Sequence, residues 1–188
     1  MKIEPREFLL LPNLISVFRL LLSIPVAILF YLNGSSQAYN NVIIYLLLFG
    51  VLTDISDGFI ARKTGNVSET GKIIDPLADK VLIAVVLISL FIEKRIPVLF
   101  FTSFIVRDLL IFFGGIYVTK RIGRVLPSNL LGKITVIFIG SFLLVLIADL
   151  PESHPLYLVF SSMSLLLSVA SLIGYFIRAK EYITKNAV

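Results

Sequence analysis

Apolar residues in this chain come in long blocks, separated by short polar segments. The blocks fall at about 14–32, 42–61, 75–92, 96–118, 130–150 and 156–177. About 20 helical residues cross a hydrocarbon core of ~30 Å, and each block is near that length. The pattern predicts an all-α integral membrane protein, a bundle of six transmembrane helices forming one domain over residues 1–188. No room is left for a second, soluble domain, and no internal repeat or low-complexity segment breaks the series.

Composition agrees. Hydrophobic residues make up 57% of the chain and charged ones 15%, with a mean hydropathy of +0.97. A soluble domain of this length carries about 25% charge. Cysteine is absent, which removes disulfides and thiolate metal sites. The net charge of +5 raises nucleic acid as a partner, but the basic residues alternate between loops as the positive-inside bias requires. Lys2 and Arg6 precede the first block, Arg62, Lys63 and Lys72 follow the second, Lys120, Arg121 and Arg124 follow the fourth, and Arg178, Lys180 and Lys185 close the chain. The opposite loops, "NGSSQAYN", "EKRIP" and "PESHP", carry little net charge. Both termini are therefore expected in the cytoplasm, the protein in the cytoplasmic (inner) membrane, and anionic lipid rather than nucleic acid as the surrounding polyanion. Arg19 interrupts the first apolar run, which is also too long for a cleaved signal. The glycosylation patterns at Asn33 and Asn66 are read as chance matches.

One segment departs from the apolar rule. "TDISDGFIARKTGNVSETGKIIDPLADK", residues 53–80, holds Asp54, Asp57, Asp75 and Asp79. Carboxylates are costly in a bilayer and mark function by default. At 100° per residue, Asp54, Asp57, Gly58 and Ala61 fall in one helical stripe, and Gly71, Asp75 and Asp79 in another. Two facing helices would then bring four carboxylates together, which repel unless a cation joins them. An all-oxygen donor set selects Mg²⁺ or Mn²⁺, and a pair of such ions suits phosphoryl chemistry. The small residues leave room for a ligand against the helix backbone. An EF-hand fails on ligand spacing, because Thr53 and Ile55 would fall at ligand positions. A cation or proton transporter is the rival class, since intramembrane aspartates serve there too. Solvated helix-end carboxylates could account for Asp75 but hardly for all four.

"DISDGFIAR", eight residues, then "GKIIDPLAD" closely resembles the signature of the CDP-alcohol phosphatidyltransferase family, with Asp54, Asp57, Gly58, Ala61, Arg62, Gly71, Asp75 and Asp79 all matching. The resemblance implies a cytoplasm-facing polar cavity in which a phosphatidyl group passes from a CDP-linked lipid, CDP-diacylglycerol, to a small alcohol and CMP leaves. Carried over residue by residue, it implies that Asp54, Asp57 and Asp75 bind two divalent cations, and that Asp79 binds the second ion and acts as general base. It further implies that Gly58, Ala61 and Gly71 accommodate the nucleotide, that Arg62 pairs with its phosphates, and that the protein is a homodimer.

Other basic residues bear on the acceptor. The opening "LPNLISVFRLLLSIP" resembles the phosphatidylglycerophosphate-forming branch of the family, which implies glycerol 3-phosphate as acceptor. Asn13, Ser16 and Arg19 share one helix face by their spacing of three. Asn13 is assigned to the CDP-lipid, and Arg19 to an acceptor phosphate together with Arg107, Lys133 and Arg178. Arg107 stands mid-block in "FIVRDLLIFF", and Arg binds phosphate oxygens bidentately. Asp108 is expected to be a poor partner for it, because adjacent helical residues do not face each other. Interfacial snorkelling is the plain alternative for Lys133 and Arg178. "RDLLI" and "GKITV" lean toward the cardiolipin-forming branch, whose acceptor is phosphatidylglycerol.

Overall fold

A computed structural model describes residues 11–34, 37–64, 71–122 and 130–185. Within them, the side chains at 11, 12, 55–64, 71–73, 75, 76, 122 and 185 fall outside the description. The apolar blocks form six helices, α1 (Leu11–Asn33), α2 (Asn40–Thr64), α3 (Gly71–Ile92), α4 (Val98–Ile122), α5 (Leu130–Ile147) and α6 (Pro155–Lys185). Among the described residues four are long and apolar enough to cross a membrane: α1, α4, α5 and α6. Among the described residues α2 is apolar over Asn40–Asp54, and α3 opens on the polar "GKIIDPLADK".

Residues 1–93 form one compact unit and residues 94–188 another. In the first, α1 packs against both α2 and α3. Gly50 lets the three helices meet, since a Cβ there would lie 3.3 Å from Leu82 and 3.4 Å from Leu22. The inward face of α1 is polar in its first half, with Asn13, Ser16, Arg19 and Ser23 buried, and apolar beyond, with Val26 and Phe30 buried. Its outward face presents Leu14, Phe18, Leu21, Ile24 and Ile28, the reverse of a soluble amphipathic helix and the arrangement lipid requires.

After α1 the chain turns through Gly34, whose φ of +48° suits a residue without a Cβ. Asn33 locks the turn. Its amide nitrogen donates to Asn40 Oδ1 (2.8 Å), and its oxygen accepts from the Tyr39 backbone N–H (2.9 Å). Only 1% of Asn33 is exposed, so its side chain serves the turn.

The second unit is organised by α6, which packs on α4 and α5. Ser161, Ser164, Ser168 and Ser171 are all buried. Each hydroxyl donates back to a carbonyl of its own helix, at 2.6–3.2 Å. Small, internally satisfied side chains let helices approach closely without stranding polar groups in lipid. The Thr135 hydroxyl of α5 reaches both the Leu131 carbonyl (2.7 Å) and the Leu167 carbonyl of α6 (3.1 Å). Tyr175 lies over Gly114 of α4, where a Cβ would come 2.9 Å from its ring.

Helix ends explain where the apolar blocks and the helices differ. α5 stops at Ile147 rather than 150 because Asp149 takes a φ of +55°. Asp149 N–H bonds to the Leu146 carbonyl and Leu150 N–H to that of Val145, a Schellman termination. Arg95 supports the same end, donating to the Leu146 and Ile147 carbonyls at 2.6 and 3.1 Å. His154 caps α6, its Nδ1 accepting from Leu156 N–H (3.2 Å), with Pro155 at the first helical position where a missing N–H costs nothing.

Candidate active site

The polar face of α1 points into the unit that carries the aspartates. Arg19 is 1% exposed, and its Nη1 donates to Asp54 Oδ1 of α2 at 2.5 Å and to Asp79 Oδ1 of α3. Two carboxylates from two helices, 25 residues apart in sequence, therefore converge on one nitrogen of a third helix. Their side chains are 47% and 44% accessible, against 2% for Arg19. The guanidinium approaches from within the protein, and the carboxylates remain reachable from outside.

Of the two expected stripes, Asp54 and Asp79 have described side chains, and these meet at Arg19 of α1. Asp57, Gly58, Ala61 and Arg62 stand on α2, and Gly71 and Asp75 on α3; beyond that placement they lie outside the described residues. Among the described residues no group of three or more His, Cys, Asp or Glu is placed to hold a metal ion; Asp54 and Asp79 supply two accessible carboxylates, the oxygen donors a hard cation takes. Asn13 and Ser16 are buried on the same face of α1 as Arg19.

Sequence reasoning placed Arg19 at an acceptor phosphate and did not anticipate its carboxylate partners. The signal was available: a charge in an apolar run must find a countercharge within the bundle.

A second polar centre lies in the other unit. Arg107 is buried, its Nε donating to Ser171 Oγ (3.2 Å) and its Nη1 to Asp108 Oδ1 (2.7 Å). The expectation that Asp108 is a poor partner is corrected here. Adjacent helical residues diverge at Cβ, but the long Arg side chain folds back over that distance. Lys133 and Arg178 are exposed, and neither shares a described hydrogen bond with Arg107. Ser171 was not singled out from sequence, although the 3-4-3 spacing of Ser161, Ser164, Ser168 and Ser171 marks a single face of α6.

The model of the CDP-alcohol phosphatidyltransferase family matches residues 9–175, through both units. The chain belongs to that family. As a member it is an integral-membrane transferase of phospholipid biosynthesis. It is 35% identical over 181 residues to the CDP-diacylglycerol–glycerol-3-phosphate 3-phosphatidyltransferase of Aquifex aeolicus, covering 93% of this chain and 98% of that one. The Mycoplasma genitalium protein of the same name is 33% identical over 136 residues, 64% of this chain and 57% of its own. The CMP-forming cardiolipin synthase of Rattus norvegicus is 39% identical over 112 residues, 59% of this chain and 35% of its own.

Proposed function

We propose that this transferase moves the phosphatidyl group of CDP-diacylglycerol to glycerol 3-phosphate, giving phosphatidylglycerophosphate and CMP. The observation that carries this reading is the end-to-end similarity to the Aquifex protein of that name, 93% of one chain against 98% of the other. In the reaction the acceptor hydroxyl oxygen bonds to the lipid-side phosphorus. The bond from that phosphorus to the bridging oxygen breaks, and CMP leaves with the electron pair.

Asp54, Asp57, Asp75 and Asp79 are the proposed ligands of two divalent cations, Mg²⁺ or Mn²⁺. Bound there, such ions supply charge stabilisation for the diphosphate and the departing CMP. Asp79 takes the hydroxyl proton as the acceptor attacks. Gly58, Ala61 and Gly71 leave space for the nucleotide, Arg62 pairs with its phosphates, and Asn13 contributes a hydrogen bond from α1. Arg107, Lys133 and Arg178 are the candidates for the acceptor phosphate. We place the site on the cytoplasmic side of a six-span domain that acts as a homodimer, on the alternation of basic loops and the family resemblance.

The test compares CMP release from CDP-diacylglycerol by purified protein, with Mg²⁺ or Mn²⁺, using labelled glycerol 3-phosphate and phosphatidylglycerol side by side. Turnover with glycerol 3-phosphate alone is expected. Turnover only with phosphatidylglycerol would move the protein to the cardiolipin-forming reaction, a reading the rat relative favours. No CMP release with any alcohol sinks the enzymatic reading and leaves a cation or proton transporter.

A further inference from the structure

Arg19 sits where two anions need positive charge. Like charges at close range repel, and a cation between them relieves the repulsion. Arg19 supplies that cation from α1, with one nitrogen serving Asp54 and Asp79 together. A divalent ion arriving at the accessible side of the same carboxylates meets ligands already neutralised in part, with a fixed positive charge behind them.

We propose that Arg19 is a positioning residue acting as a built-in counter-cation, which holds α2 and α3 together through Asp54 and Asp79 and competes with the divalent cation for them. The proposal rests on the metal reading given above. Two properties follow from the one contact. The metal-free protein owes part of its stability to Arg19, and its cation affinity is lower than the carboxylates alone would give. The arrangement keeps the carboxylates converged before a cation arrives, at the cost of weakening the cation once it does.

The experiment measures Mn²⁺ affinity by electron paramagnetic resonance, and thermal unfolding with and without Mn²⁺, on full-length protein in detergent. R19Q is expected to unfold at a lower temperature without metal, yet to bind Mn²⁺ at least about fivefold more tightly, by removal of a nearby like charge. Its Mn²⁺-induced rise in Tm is correspondingly larger than that of the unaltered protein. R19K keeps the charge but on a compact, strongly hydrated ammonium without the guanidinium's reach and planar shape, and is expected between the two, tighter than the unaltered protein by about twofold. A purely structural role would lower Tm and leave Mn²⁺ affinity unchanged or weaker, and that result overturns the proposal. Recovery of R19Q only in the presence of Mn²⁺ supports it. If R19Q cannot be recovered at all, R19K decides by the same criterion. Absence of Mn²⁺ binding in the unaltered protein overturns the metal reading and this proposal with it, whereas binding that Arg19 does not influence overturns this proposal alone.

Discussion

Arg19 and Arg107 are both buried in apolar helices, and they are neutralised in different ways. Arg19 draws its partners from two other helices, Asp54 and Asp79. Arg107 is held by the next residue of its own helix, Asp108, and by a serine hydroxyl of α6. The first arrangement ties three helices to one charge centre, so a change at that point is felt by the whole unit. The second leaves most of the charge balance local to α4, with one neutral contact to α6. Under the proposed function Arg19 organises the catalytic centre and Arg107 reads the acceptor, and these two kinds of support suit those two roles.

The sharpest way to break the comparison is at Asp79. Asp79→Asn keeps the shape of the side chain and removes both its charge and its basicity. Turnover is expected to fall by at least about a thousandfold, within the range general base catalysis supplies together with ligand loss. Asp54 still balances Arg19, so the far-ultraviolet circular dichroism and the detergent-solubilised yield should be preserved. CMP release near the unaltered rate would remove Asp79 from the chemistry and reduce the Arg19 centre to a structural device.

At Arg107 the expected effect is smaller and selective. Arg107→Ala removes a charge-assisted contact, which is worth about 1.5–3 kcal/mol. The KM for glycerol 3-phosphate should rise about 10- to 100-fold, with that for CDP-diacylglycerol changing far less. Equal rises for both substrates would make Arg107 a packing element of α4 and α6, and the contrast with Arg19 would fail.

Much of this was legible in the sequence, for reasons that differ by element. The helices follow from block length, because a bilayer enforces helical backbone wherever apolar residues run on. Their ends were less legible. The Schellman turn at Asp149 depends on one residue taking a positive φ, and the chain gives no glycine there to announce it. The signature aspartates are close in sequence and regularly spaced, so the convergence of Asp54 and Asp79 could be anticipated. The partner of Arg19 could not be read in the same way, because it depends on which helices pack against α1. Arg107 failed for the opposite reason. A rule about side-chain direction was applied to a residue whose side chain is long enough to escape it, while Ser171 lay hidden in a serine series resembling ordinary helix packing.

The finest test of the contrast is Ser171. Its Oγ accepts from Arg107 Nε and donates to the Ser168 carbonyl, which retains its ordinary helix hydrogen bond when the hydroxyl is removed. Ser171→Ala therefore changes one thing that matters, the orientation of the guanidinium on its Nε side, while Asp108 still holds Nη1. A hydrogen bond to a charged group, at the low end of its range about 1.5 kcal/mol, corresponds to roughly a tenfold rise in KM for the acceptor, with kcat nearly unchanged. A serine that only packs α6 against α4 would instead lower Tm and leave the acceptor KM alone. The double variant separates the two cases. If Ser171 acts through Arg107, Arg107→Ala with Ser171→Ala should be no worse for the acceptor than Arg107→Ala by itself, because the second change then has nothing left to misalign. Additive losses would mean that the serine touches the acceptor pocket by another route. The local support that distinguishes Arg107 from Arg19 would then consist of Asp108 alone.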